Sequence, residues 1–115
     1  MIIGVDADGT IWGNDYPNTG KMKFLSRFFL RKLYKKHTLI LWTCREREFL
    51  YIAKERLKKE NIQFDFYNEN TPWRISQYGG DCRKLSCDFL VDDMAGFVWW
   101  PWVYFKIKCR EWFSE

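Results

Sequence analysis

Two short apolar runs in this chain, IIGV at residues 2–5 and FLV at residues 89–91, each stop on a pair of carboxylates. The first closes on Asp6 and Asp8 within VDADGT, the second on Asp92 and Asp93 within FLVDD. An unpaired carboxylate is costly to take out of water, so a buried strand does not end that way without a reason. Each pair is either a solvated turn or part of a site that holds something.

What lies between the two runs constrains the fold further. Residues 1–5 are continuously apolar, the pattern of a strand covered on both faces. A loop rich in Asn, Asp, Pro and Gly follows from Gly13 to Gly20. Residues 21–36 then change period, with Met22, Leu25, Phe29 and Leu33 on one helical stripe beside Phe28. Thr38 to Thr43 reads as a second buried strand, and Arg45 to Lys59 as a helix with Phe49, Leu50, Ala53 and Leu57 on one face. Residues 62–67 alternate as a half-covered strand does, a long polar loop runs from Asn68 to about Asp81, and residues 88–91 form the last motif strand.

The order β-α-β-α-β-loop-β-tail implies right-handed crossovers and a mainly parallel sheet, a three-layer Rossmann-like α/β fold. Ligands of such sheets gather beyond the carboxyl ends of the strands. Three of the four expected strands end there on polar groups: Asp6 and Asp8, Thr43 and Arg45, Asp92 and Asp93.

The totals agree with one domain over residues 1–115: the chain is 47% hydrophobic and 30% charged. No apolar run approaches a membrane helix, and acids early in MIIGVDADG argue against a secretory signal, so the expected compartment is cytoplasmic. Cys44, Cys82, Cys87 and Cys109 form no CxxC pair and His37 is the only histidine, so reduced thiols are expected rather than a zinc site. The net charge of +4 includes a basic cluster, Arg31, Lys32, Lys35 and Lys36, which reads either as a solvated helix face or as attraction to a polyanion.

Carboxylates brought face to face from two strand ends repel unless a cation or proton lies between them. Mg²⁺, which takes a few carboxylates together with water and phosphate oxygens, resolves that repulsion best. A phosphate would then meet the metal, Thr43, and a cation such as Lys84 or Arg45. A carboxylate so placed can attack phosphorus. A second one, two residues on, can protonate the leaving oxygen and later activate water. The division of labour expected from surroundings is an ionised Asp6 beside the metal and an Asp8 able to hold a proton.

These residues carry a family resemblance. VDADGT resembles the DxDGT signature of the haloacid dehalogenase-like phosphohydrolases, LILWT the second motif, Lys84 the lysine of the third, and FLVDD the fourth. The resemblance spans roughly residues 1–95. It implies Asp6 as nucleophile and metal ligand, Asp8 as general acid/base with its backbone carbonyl on Mg²⁺, and Thr43 on the phosphoryl group. Lys84 would neutralise charge on Asp6 and the phosphate; Asp92 and Asp93 would complete the metal site, Asp93 directly or through water. The gaps after Ile11 and between Thr43 and Lys84 are too short for a cap domain, so the chain is similar to short capless members built as DxDGT…WTxRE…RKL…hhDD. The activity so implied is a phosphomonoesterase acting through an aspartyl-phosphate on a substrate of unspecified identity. The competing reading is a metal-binding module for nucleic acid or protein, or a phosphatase of nucleotide or nucleic-acid ends.

The segment GFVWWPWVYFKIKCREWF lies outside those motifs. It is expected to form a strand at Val103 to Phe105 and a closing helix. Trp99, Trp100 and Trp102 then serve either as core and lid or as a contact surface, for a second copy of the chain or for a membrane surface.

Overall fold

The computed structural model describes every residue except Cys82, Arg83, Phe97 and Glu115, with the backbone alone at Ser114. Its centre is a four-stranded parallel sheet, in the order β5-β4-β1-β6. The strands are β1 (Ile2–Val5), β4 (Thr38–Leu41), β5 (Phe66–Tyr67) and β6 (Phe89–Val91). β1 pairs with β4 from Ile2↔Thr38 to Val5↔Leu41, and with β6 from Ile3↔Phe89 to Val5↔Val91. Both crossovers away from β1 pass through helices: α1 (Ser26–Tyr34) and α2 (Arg47–Lys59). The fold is α/β and Rossmann-like, as the strand order and periodicities predict.

The two faces of the sheet are covered unequally. Ile3, Val5, Leu39, Leu41 and Val91 face one helical layer, where Leu30 and Leu33 of α1 and Ala53 and Leu57 of α2 are buried. A third helix, α4 (Trp100–Ser114), completes that layer with Trp100, Val103 and Ile107. The opposite face carries Ile2, Gly4 and Ile40. It is closed by a thin layer made of α3 (Pro72–Gln77) and the segment leading into β6. Gly4 is required there, because a Cβ would stand 2.5 Å from Leu85 Cδ2. Leu90, which shares Gly4's register, stays largely exposed.

Four sequence expectations change. The loop at 13–20 is an antiparallel hairpin, β2 (Trp12–Asp15) and β3 (Asn18–Met22). Its strands, WGND and NTGKM, lack an apolar alternation because little of the ribbon is buried. Close backbone approach at Gly20, where a Cβ would lie 2.1 Å from the Gly13 carbonyl oxygen, and the bond Arg56 Nη1 gives Thr19 Oγ1 (2.8 Å) hold it instead.

The first helix begins at Ser26, not near residue 21, because Met22 belongs to β3 and Leu25 takes a left-handed φ of 61°. The expected stripe through Met22 and Leu25 therefore dissolves, and Phe28 points outward. Within the polar stretch 68–81, Thr71 caps α3 by accepting from the Arg74 amide (3.3 Å), with Pro72 at the first helical position. No strand forms at Val103 to Phe105. Aromatic and β-branched residues there favour strands locally, but burial of Trp100, Val103 and Ile107 at helical spacing overrides that preference.

Candidate active site

The polar ends of β1, β4 and β6 meet at one edge of the sheet. β1 continues for one residue past Val5, since the Asp6 amide donates to the Val91 carbonyl (2.9 Å). Asp6 and Asp92 consequently terminate neighbouring strands. Oxygens of Asp6, Asp92 and Asp93 all lie within 4.8 Å of one another, and Asp6 and Asp92 are partly buried. Asp92 also caps the short 3₁₀ turn Asp93–Ala95, accepting from the Met94 amide (2.9 Å).

Thr10 ties the two strand ends together. Buried in the turn after β1, it accepts from the Asp93 amide at Oγ1 (3.0 Å) and points the same hydroxyl at Asp6 Oδ2 (3.5 Å). Gly9, with φ of 85°, lets Asp93 come close: a Cβ there would sit 2.4 Å from Asp93 Oδ2. From the helical layer, Trp100 Nε1 donates to the Thr10 carbonyl (3.0 Å), so a residue of the aromatic segment buttresses this turn.

Asp8 faces elsewhere. Its carboxylate accepts from Arg45 Nε and Nη2, both at 2.8 Å, and from Trp12 Nε1 at 3.0 Å. Arg45 is fully buried and spends its remaining N–H groups on the carbonyls of Pro17 (2.8 Å), Asn18 (2.7 Å) and Phe49 (3.0 Å). The expected contact of Arg45 with substrate is thus corrected. Its guanidinium staples Asp8, the tip of the β2–β3 hairpin and the first turn of α2, with the Tyr16 ring 5.0 Å away.

The surroundings of the two carboxyls push them in opposite directions. Burial, followed by the charges of Asp92 and Asp93, pushes Asp6 up to about 7. Burial also acts to raise Asp8, but the bonds from Arg45 and Trp12 outweigh it and hold Asp8 below the usual carboxylate range. Without a cation, Asp6 therefore keeps its proton to higher pH than Asp8 does.

Thr43 lies just past β4, the other neighbour of β1. Its amide donates to Asn68 Oδ1 (2.7 Å), and its hydroxyl oxygen accepts from the Arg45 amide (3.2 Å). Asn68 Nδ2 closes the clamp on the Arg45 carbonyl (3.0 Å). Two residues on, the buried Asn70 does the same for the segment before β6. It donates to the Lys84 carbonyl (2.7 Å) and Asp81 Oδ1 (3.1 Å) and accepts from the Ser86 amide (2.7 Å). Lys84 itself is exposed. Asn68 and Asn70 fall in the stretch that reads from sequence as a long polar loop, and nothing there signals that they organise Thr43 and the segment of Lys84. Trp12 and Trp100, which sequence reasoning did not place in the site, are likewise hydrogen-bond donors into it.

The carboxylate set fits a hard divalent cation. Three aspartates offer only oxygen, and burial of Asp6 together with the neighbouring charges of Asp92 and Asp93 disfavours its ionised form, which a cation would relieve. Asp6, Asp92 and Asp93 would hold it by side chains; the Asp8 carboxylate is committed to Arg45 and Trp12, which leaves that residue its main chain.

No protein-family model matches this sequence, and no curated protein matches it. Among solved structures it is similar to a conserved protein coded by a locus of Bacteroides thetaiotaomicron. The two share 35% sequence identity over 96% of this chain and 91% of that one, with a TM-score of 0.84.

Proposed function

The chain belongs to the same family as the conserved Bacteroides thetaiotaomicron protein, and for this member we propose Mg²⁺-dependent hydrolysis of phosphomonoesters through an aspartyl-phosphate on Asp6. The observation that carries the reading is the meeting of Asp6, Asp92 and Asp93 within 4.8 Å at adjoining strand ends, with Thr43 just past the end of β4. The resemblance of VDADGT and FLVDD to haloacid dehalogenase-like motifs supports the same chemistry. When bound, Mg²⁺ would supply the positive charge that ionises Asp6 and draws the phosphate to the carboxylates.

In the first half-reaction an Asp6 oxygen attacks phosphorus, and the bond to the ester oxygen breaks. A proton from Asp8 reaches the leaving oxygen, giving the free alcohol. In the second, Asp8 takes a proton from water, whose oxygen displaces the Asp6 carboxylate from phosphorus and yields inorganic phosphate. The resting Asp8, ionised against Arg45, is set for this second step; the proton it takes from water there is the one it delivers to the leaving oxygen of the next turnover, and in the first turnover that proton comes from solvent. Thr43, through its clamped amide segment and hydroxyl, orients the phosphoryl oxygens. Lys84 supplies a cation from the segment that Asn70 anchors.

Between the first motif and α1 lies only the β2–β3 hairpin, so among the described residues no cap domain covers this edge. The test is release of phosphate from an aryl phosphate with and without Mg²⁺. Turnover should require the metal and vanish in Asp6→Asn; a folded wild-type protein inert toward every phosphomonoester offered would sink the proposal.

A further inference from the structure

α4 carries large aromatic side chains outward as well as into the core. Trp100, Val103 and Ile107 fill the core, while Trp99, just before the helix, and Trp102, Phe105, Trp112 and Phe113 are 49–89% exposed. Exposed aromatic surface gathered on one face normally marks contact with something. At about 200 Å² per aromatic side chain, these five leave roughly 600 Å² of ring surface uncovered, at the upper limit of what monomers expose.

Charge identifies the kind of cover. Lys106 and Arg110 share this outward face, and the acid of the helix, Glu111, turns away to His37 and Lys108. Beside it, Tyr104 lines a depression of about 550 Å³ with Arg31 and Lys32 of α1 and with Lys35 and Lys36 just past its end. Lys32 of α1 lies over the Phe28 and Tyr104 rings. The surface is therefore aromatic at its centre and cationic along its flank.

We infer that this face docks on an anionic lipid bilayer, with the α4 aromatics entering the interfacial region and the α1 cations meeting lipid phosphates. A second copy of the chain fits less well. Stable dimers bury about 800 Å² per partner, and Lys106 and Arg110 would oppose their own copies across a two-fold axis. Single-stranded nucleic acid would need open ring faces for its bases. Trp102 already stacks on Phe105 at 5.5 Å and 18°, and Lys106 lies over the Trp102 ring. Tryptophan and phenylalanine beside lysine and arginine are the composition that favours a membrane interface. The inference is independent of the phosphohydrolase reading.

The experiment is flotation of the full chain with vesicles of phosphatidylglycerol and phosphatidylcholine, against vesicles of phosphatidylcholine alone. The protein should float with the anionic vesicles, less so as salt rises. Trp112→Ser with Phe113→Ser should weaken partitioning roughly tenfold or more. Lys35→Glu with Lys36→Glu should weaken it on anionic vesicles only, and both variants should keep the wild-type circular dichroism and melting temperature. Failure to float, or floating untouched by both variants, overturns the inference. So does a concentration-dependent dimer abolished by the aromatic variant, or tighter binding to an oligonucleotide that the vesicles do not displace.

Discussion

Arg45 grips Asp8 by both carboxylate oxygens while its other donors hold three backbone carbonyls of the hairpin and α2. One buried guanidinium thus sets the orientation of the proposed acid/base and the position of the element beside it. Arg45→Ala strands Asp8 and those carbonyls, and should cost on the order of 3–5 kcal/mol in urea unfolding. Arg45→Lys keeps the charge but not the fork. It should remain folded, with kcat falling more than KM rises.

Asn68 adopts φ of 53° and joins the Thr43 amide to the Arg45 carbonyl. Asn68→Gly tolerates that backbone but removes the clamp; Asn68→Ala loses both. Both variants should lose phosphate affinity, read as a raised KM and a weaker inhibition by inorganic phosphate. Asn68→Ala should be less stable than Asn68→Gly by about 1 kcal/mol, the cost of a Cβ at positive φ.

Gly9→Ala drives a methyl against Asp93 Oδ2 from a backbone already at positive φ. Stability should fall by roughly 1–3 kcal/mol. The larger effect should be on the metal: the Mg²⁺ concentration giving half-maximal activity should rise at least tenfold, which a metal titration of turnover measures.

The raised Asp6 carboxyl gives the metal-free protein a defined pH dependence. A group that binds its proton more tightly when folded contributes stability fully below its unfolded value near 3.8, and loses it as pH rises through about 7. The melting temperature without metal should therefore decline across that window from this group. Mg²⁺ should raise it strongly at pH 8 and little at pH 5, where protons already relieve the repulsion. An equal rise at both values would show that the ion does not compete with that proton.

A second titration acts at the other end of the sheet. His37 Nε2 meets Glu111 at 2.5 Å, fastening α4 to the start of β4. Burial lowers the His37 value, and Glu111 is also lowered, its bonds from His37 and Lys108 overcoming burial. Both groups contribute stability above their unfolded values and lose it as pH falls, His37 beginning below about 6.5. His37→Gln should flatten the melting-temperature profile between pH 6.5 and 5, measured in a metal-free buffer.

The parallel sheet and its acidic edge were legible because both are written locally: continuous apolar runs for the strands, then Asp6, Asp8, Asp92 and Asp93 at their ends. The hairpin was not, since WGND and NTGKM bury little and are held by backbone approach at Gly13 and Gly20. α4 was misread in part because local preference at Val103 to Phe105 points to strand, while three distant core contacts decide for helix. Arg45 shows the same limit within the site. A cation after Thr43 suggests phosphate, and only the folded positions of Pro17, Asn18 and Phe49 reveal that its donors are already engaged. Asn68 and Asn70 organise partners more than ten residues away, which no spacing rule exposes.

The covalent step on Asp6 is tested most directly by trapping it. Wild-type protein, Mg²⁺ and an aryl phosphate would be mixed, quenched in acid during turnover, digested and analysed by mass spectrometry. The expected result is one phosphoryl group on the peptide bearing Asp6, accumulating further in Asp8→Asn where water is no longer activated, and absent in Asp6→Asn. Turnover with no phosphorylated peptide, or with the phosphoryl group on another residue, would contradict a nucleophilic Asp6.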